Sequence, residues 1–392
     1  MRAQRLDRRQ RPVTSAGAGI ATPEEAPDID PAHYLYERYR GPVRRSLTLT
    51  VYYALKPFLP RRLWMALRRM RARKVASGFP AWPVEPVLIE HQHRLWRREL
   101  SSRADARLPV VGFWPEGRRF AVTITHDVEG TKGVENIGAV LEVERAHGIV
   151  SSWNFVAEWY PIPPGAFATV RDAGGEVGLH GIKHDGLLFR DRETFTADLP
   201  AIHRYMREWG AVGFRSPATH RNADWMPELG CLYDSSFPDT DPYEPQPGGC
   251  CSIFPYFIGD LVELPITMVQ DHTMWELLRE PTIRLWREKA SWVIANHGLI
   301  NVIVHPDYVL SRERLGLYGE LLEFLRGEVD RLDGWHALPR DVAEWWKARA
   351  TLSVGDLEGR GAIVSGGAPS EWAARASVAW VSERDGALAI DG

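Results

Sequence analysis

The stretch 120-FAVTITHDVEG-130 decides how this chain is read. Its first six residues, Phe120 to Thr125, are apolar or β-branched, as in a strand covered on both faces of its sheet. The run then breaks into His126, Asp127, Val128 and Glu129. An interior strand that finishes in an imidazole and two carboxylates delivers chemistry to one edge of a sheet.

Outward from this strand, strand-like and helix-like segments alternate. The spacing of Val134, Ile137 and Leu141 predicts a helix over 134–147, followed by strands in VSSWNFV and EVGLH. Phe195, Leu199, Ile202, Met206 and Trp209 share one face of a helix over about 194–209. AVGFRSP, LVELPIT and LINVIVHP read as further strands, 312–330 as a long helix, and HALPRDVAEWWKAR as a last strand and helix. This alternation predicts a parallel α/β sheet or barrel over 118–350.

The flanks read differently. Residues 1–33 have the Pro, Ala, Gly and Glu content of a disordered arm, and 34–117 that of a helical, Pro-punctuated extension. Within it, Leu63, Leu67 and Met70 share a helix face while Arg61, Arg62, Arg68, Arg69, Arg71, Arg73 and Lys74 crowd the rest. A helix docked on the domain with a solvated basic back fits this pattern; so does peripheral membrane contact through residues 56–74. Residues 351–392 carry short alternating runs, ASVAWVS and GALAI, expected as a small β appendage.

The 392 residues are 44% hydrophobic and 25% charged, enough for one large core. With 48 basic and 51 acidic residues the net charge is -3, which argues against a nucleic-acid partner. Three cysteines without CxxC spacing point to a reducing compartment, and no run of 18 apolar residues predicts a membrane span. With no apolar signal region near the start, the expected location is cytoplasmic, with membrane association open.

Several predicted strands end in polar groups: Asp127 and Glu129, His180, Arg215, and His305. His180 and His184 stand four residues apart in GLHGIKHDG, a spacing that lets two imidazoles reach one ion. Adding one carboxylate makes a set common in catalytic zinc sites.

The order THDVE, HGIKH, GFRSP, YDSSF with ELP, and IVHP resembles the five motifs of the polysaccharide deacetylases, carbohydrate esterase family four. The likeness runs from Phe120 to Arg349, about three fifths of the chain. It implies a distorted (β/α) barrel and removal of an acyl group, usually acetyl, from the nitrogen of an amino sugar, assisted by a divalent ion, here expected to be zinc. Asp127 matches the catalytic base, His180 and His184 the metal-binding histidines, Arg215 the arginine that holds the base, and His305 the general acid. Val128 stands where the second Asp of the common pattern would be. A D-x-D subgroup makes Glu129 the third ligand, with Asp127 as the alternative. The backbone N–H of Ala218 is the expected oxyanion donor, and Trp225 and Asp234 are expected to line the substrate groove. Two further readings stay open: a C–N hydrolase for a small amide, and a degenerate domain that binds glycan without cleaving it. Oligomeric state is not legible.

Overall fold

The computed structural model describes residues 28–41, 78–104, 106–356, 362–366 and 370–391. The basic segment 56–74 and the arm as far as residue 27 lie outside the described residues. Residues 31–33, expected in the disordered arm, belong to a short helix, Pro31–Leu35, which Asp30 caps by accepting from the Ala32 N–H. No helix among the described residues is long and apolar enough to cross a membrane.

The first strand, β1 (Arg107–Val111), stands apart from the central sheet. That sheet contains β2 (Ala121–Val128), β3 (Ser152–Phe155), β4 (Glu176–Leu179), β5 (Gly213–Phe214), β6 (Tyr233–Asp234), β7 (Tyr256–Ile258), β8 (Leu261–Glu263), β9 (Leu299–Val304) and β10 (Trp335–His336). Its order is β10-β2-β3-β4-β5-β6-β8-β7, with β9 also paired to β2. Every pairing is parallel except that of β7 with β8.

The sheet curls until the segment after β8 reaches β9. Pro265 has no N–H for a ladder, so this closure is irregular. Side chains carry most of it: Asn301 Nδ2 donates to the carbonyls of Leu264 at 3.1 Å and Pro265 at 3.0 Å, and Thr267 Oγ1 donates to Leu299 O at 2.5 Å, beside one backbone bond from Met268 N–H to Asn301 O at 3.3 Å. The result is a distorted (β/α) barrel with one seam stitched by side chains.

All eight residues of β2 are buried. Alternation sends Val122, Ile124 and Val128 outward into a core shared with Ile137, Val140 and Leu141 of one helix and Tyr318, Leu321, Leu322 and Leu325 of another. Thr123, Thr125 and Asp127 face inward, where Thr123 Oγ1 donates to Asn301 Oδ1 at 3.0 Å. His126 belongs to the outer set. Its Nδ1 lies 2.8 Å from Val304 O and its Nε2 2.6 Å from Glu144 Oε1, with the ring against Trp153.

Helix ends follow ordinary capping chemistry. Asp191 accepts from Thr194 N–H at the start of Arg192–Trp209, and Gly210 takes the left-handed conformation at its end. The single helix expected over 134–147 is two, Thr131–Glu135 and Ile137–Ala146, joined at Asn136. Asn136 Nδ2 is committed to the carbonyls of Pro306 and Val309.

The C-terminal region holds a hairpin of β11 (Leu352–Asp356) and β12 (Ala362–Gly366), then β13 (Val378–Arg384) and β14 (Ala387–Asp391). β13 pairs antiparallel with both β14 and β1. The two flanks, read separately in the sequence, therefore share one small sheet.

At the far end of the barrel Glu176 accepts from Tyr233 Oη at 2.9 Å and from Arg340 N–H at 3.3 Å. Burial pushes its carboxyl up to about 7 against these two bonds. A carboxyl raised in the folded state favours folding in its neutral form, so stability falls as pH rises from about 4.5 through 7. Wild type is expected to lose roughly 2 kcal/mol more between pH 5 and 8 than Glu176→Gln. Urea unfolding of both proteins at the two pH values measures this difference.

Candidate metal centre

Because β2, β4, β5 and β9 run parallel, the residues that follow them emerge on one rim. Glu129 follows β2, His180 follows β4, Arg215 follows β5 and His305 follows β9. His184 joins them from an irregular loop rather than a helical turn. The loop bends at Gly181, whose φ of +67° suits glycine, and a Cβ there would lie 2.8 Å from the ring of Pro217.

One ligand atom each from Glu129, His180 and His184 lies within 4.8 Å of the others. His180 Nδ1 donates to the backbone carbonyl of Arg215 at 3.0 Å, which leaves Nε2 bare toward the cluster. His184 Nε2 stands 2.8 Å from Glu129 Oε1 but outside hydrogen-bond alignment. Two buried imidazole nitrogens without partners beside one carboxylate are what a cation would satisfy. The donor set fits a divalent ion such as zinc.

The charge states of His180 and Glu129 agree with that use. Burial pushes His180 down to about 4, the neutral form a metal ligand needs. Burial would raise Glu129, but His184 and then His305 outweigh it and hold the carboxylate far below its ordinary range. His184 is raised because Glu129 outweighs its burial, so an ion bound there would take the place of its proton.

Asp127 is turned to a different task. Its Oδ1 accepts from Asn154 Nδ2 at 2.9 Å and Arg215 Nη1 at 3.1 Å, while Oδ2 lies 4.0 Å from His180 Nε2. Burial alone would raise its pKa, but Arg215, His180 and His305 together lower it. The result is an ionised carboxylate with one oxygen held and the other aimed at the cluster. Between Asp127 and Glu129, Glu129 is the carboxylate grouped with the two imidazoles.

On another side His305 Nδ1 lies 2.6 Å from Asp271 Oδ1, and His305 Nε2 lies 3.6 Å from Glu129 Oε1. Burial opposes protonation of His305, yet Asp271 and Glu129 outweigh it and raise the imidazole to about 10. Sequence reasoning missed Asp271, which opens a short helical segment beyond β8. It also missed Asp307, which accepts from Glu129 N–H at 2.9 Å and Gly133 N–H at 3.0 Å and so fixes the backbone that carries Glu129. The HPD run after β9 was the available signal.

Asp234 and Trp225, the two residues expected to line a groove, lie outside the ligand cluster. Asp234 is fully buried; its Oδ1 accepts from Ser236 Oγ at 2.8 Å and its Oδ2 from Ser236 N–H at 3.1 Å. It is the last residue of β6, and its carboxylate is taken up by Ser236. Trp225 packs against Phe189 and Phe195 with Arg192 over its ring, and is not part of the cluster. Ala218, by contrast, follows Arg215 and Pro217 on the site loop in left-handed conformation, with φ 54° and ψ 27°.

No family profile and no curated protein matches this sequence. Among solved structures, a provisionally named polysaccharide deacetylase from Mycobacterium smegmatis aligns at 22% identity over 62% of this chain and 97% of its own, with a TM-score of 0.46. Puue allantoinase aligns at 16% identity over 60% of this chain and 92% of its own, TM-score 0.46. A family 4 carbohydrate esterase from Streptomyces lividans, solved with acetate, aligns at 15% identity over 54% of this chain and 90% of its own, TM-score 0.36.

Titration calorimetry with zinc on metal-free protein tests the centre. His180→Ala is expected to abolish binding. Gly133→Ala puts a Cβ 2.2 Å from Asp307 Oδ2, and is expected to weaken binding about 10- to 100-fold by displacing the group that orients Glu129. Val128→Ala, on the outer face of the same strand, is expected to leave zinc affinity unchanged while costing about 2 kcal/mol of stability.

Proposed function

We propose that this protein is a metal-dependent amide hydrolase of the polysaccharide deacetylase type, removing an acetyl group from the nitrogen of an amino sugar, with Glu129 in the D-x-[DE] ligand position. The observation that carries the proposal is the placement of two differently charged proton carriers, Asp127 and His305, beside the Glu129, His180 and His184 cluster. The sugar substrate rests on the order of the five sequence motifs.

A divalent ion held by Glu129, His180 and His184 would supply Lewis acidity toward water and the acyl oxygen. Asp127 Oδ2 takes a proton from the attacking water as its oxygen adds to the acyl carbon. Arg215 and Asn154 hold the other Asp127 oxygen, so the base stays ionised and oriented. The Ala218 N–H, presented by a left-handed turn, donates to the oxygen on which negative charge develops. An amine leaves poorly as an anion, so His305 Nε2–H protonates the nitrogen as the C–N bond breaks. Asp271 keeps that imidazole charged until the proton is needed. The products are free amine and acetate.

Acetate release from N-acetylglucosamine oligomers, compared with simple acetamides, tests both reaction and substrate class. Turnover is expected on the oligomers, to vanish with a chelator and to return with zinc. Asp127→Asn is expected to lower kcat by about 10²- to 10⁴-fold. Asp271→Asn removes the group that raises His305, so the alkaline limb of the pH–rate profile is expected to move to lower pH. Turnover of acetamides alone contradicts the sugar assignment, and zinc binding without turnover of either contradicts the hydrolase assignment.

A further inference from the structure

The turn Pro217–Ala218–Thr219 is held in a conformation that its own residues disfavour. Ala218 has φ 54° and Thr219 φ 51°. A β-carbon is crowded in that region, and β-branched Thr219 is an unusual occupant. Two such residues in succession persist only where their surroundings determine them. Within the turn, Thr219 N–H donates to Ser216 O at 3.0 Å and His220 N–H to Pro217 O at 3.4 Å. From outside it, Arg221 Nη1 donates to the carbonyl of Thr219 at 2.8 Å.

Arg221 is 3% exposed, and its guanidinium is gripped by a residue distant in sequence. Glu37 accepts from Nε at 2.9 Å and from Nη2 at 2.5 Å, a two-pronged pair. Gln246 adds its side chain to the Arg221 backbone on both sides, and the guanidinium lies over the Phe237 ring. The segment carrying Glu37 is itself tied down, with Tyr36 Oη donating to Phe257 O at 2.9 Å and Tyr39 Oη to Gly249 O at 2.7 Å.

We propose that Glu37 is a positioning residue for the hydrolysis: through Arg221 it fixes the Thr219 carbonyl, and with it the direction in which the Ala218 N–H points. This rests on the function proposed above. Segment 28–41 is then part of the active site, although it lies some 180 residues before it in the chain. The aimed N–H meets charge that develops in the transition state, so its misplacement reads out in kcat rather than KM.

The test measures steady-state acetate release from N-acetylglucosamine oligomers with zinc, melting temperature and zinc calorimetry on the full chain. Glu37→Gln is expected to lower kcat about 10- to 100-fold with KM and zinc affinity within about twofold of wild type. Glu37→Leu/Arg221→Leu removes the buried pair and leaves only the partly exposed Arg40, which donates to Glu37 at 3.2 Å, so its melting temperature is expected to recover relative to Glu37→Gln while the loss in kcat remains. Wild-type kcat in Glu37→Gln, or a kcat that recovers together with melting temperature in the double variant, overturns the proposal and leaves the hydrolase intact. Absence of turnover in the wild type overturns both, and is told apart because it precedes any substitution.

Discussion

A guanidinium sealed inside a barrel organises this molecule. Arg215 is 1% exposed, and its side chain donates to four acceptors: Ser235 O and Oγ, Thr125 Oγ1 and Asp127 Oδ1. A charge without water must be matched by an opposite charge and by hydrogen bonds. That requirement keeps Asp127 ionised, and it also holds β2, β5 and β6 together from within. The backbone of the same residue sets the nearest imidazole, because its carbonyl takes the Nδ1 proton of His180 and turns Nε2 toward the cluster. Asp127 and His180 thus share one support.

The barrel is built to keep that polar interior separate from its apolar coat. A period of two along β2 gives each face its own chemistry. Val128 is part of the helix-facing core, so a ligand carboxylate cannot stand there without burying a charge in apolar surroundings. Glu129 is the next residue on the inner side. The seam between β8 and β9 follows the same division, with Asn301 and Thr267 replacing ladder bonds on the inside while Ile300, Val302 and Val304 pack outside.

How much of this is legible in the sequence depends on whether the signal is periodic. The alternation of strands and helices from Phe120 onward carries the (β/α) class, and strand ends at Glu129, His180, Arg215 and His305 place polar groups on one rim. Residues that act singly from short elements and turns leave no periodic trace: Asp271 opens a short helical segment beyond a strand of three residues, and Glu37 reaches Arg221 across 184 positions. Asp234 is buried and bonded to Ser236, a placement that nearness to a motif does not reveal. His184 reaches the cluster by a left-handed bend at Gly181, so its four-residue spacing from His180 describes a loop and not a helix face.

The central claim is that Glu129, His180 and His184 hold one cation while Asp127 stands beside it, uncoordinated. Anomalous diffraction at the zinc absorption edge, on crystals grown with zinc, addresses it most directly. The account predicts a single peak about 2.0–2.2 Å from Nε2 of both histidines and a Glu129 carboxylate oxygen, with Asp127 still bonded to Arg215 and Asn154. A peak bound through Asp127 in place of Glu129, or none among these three side chains, would contradict it.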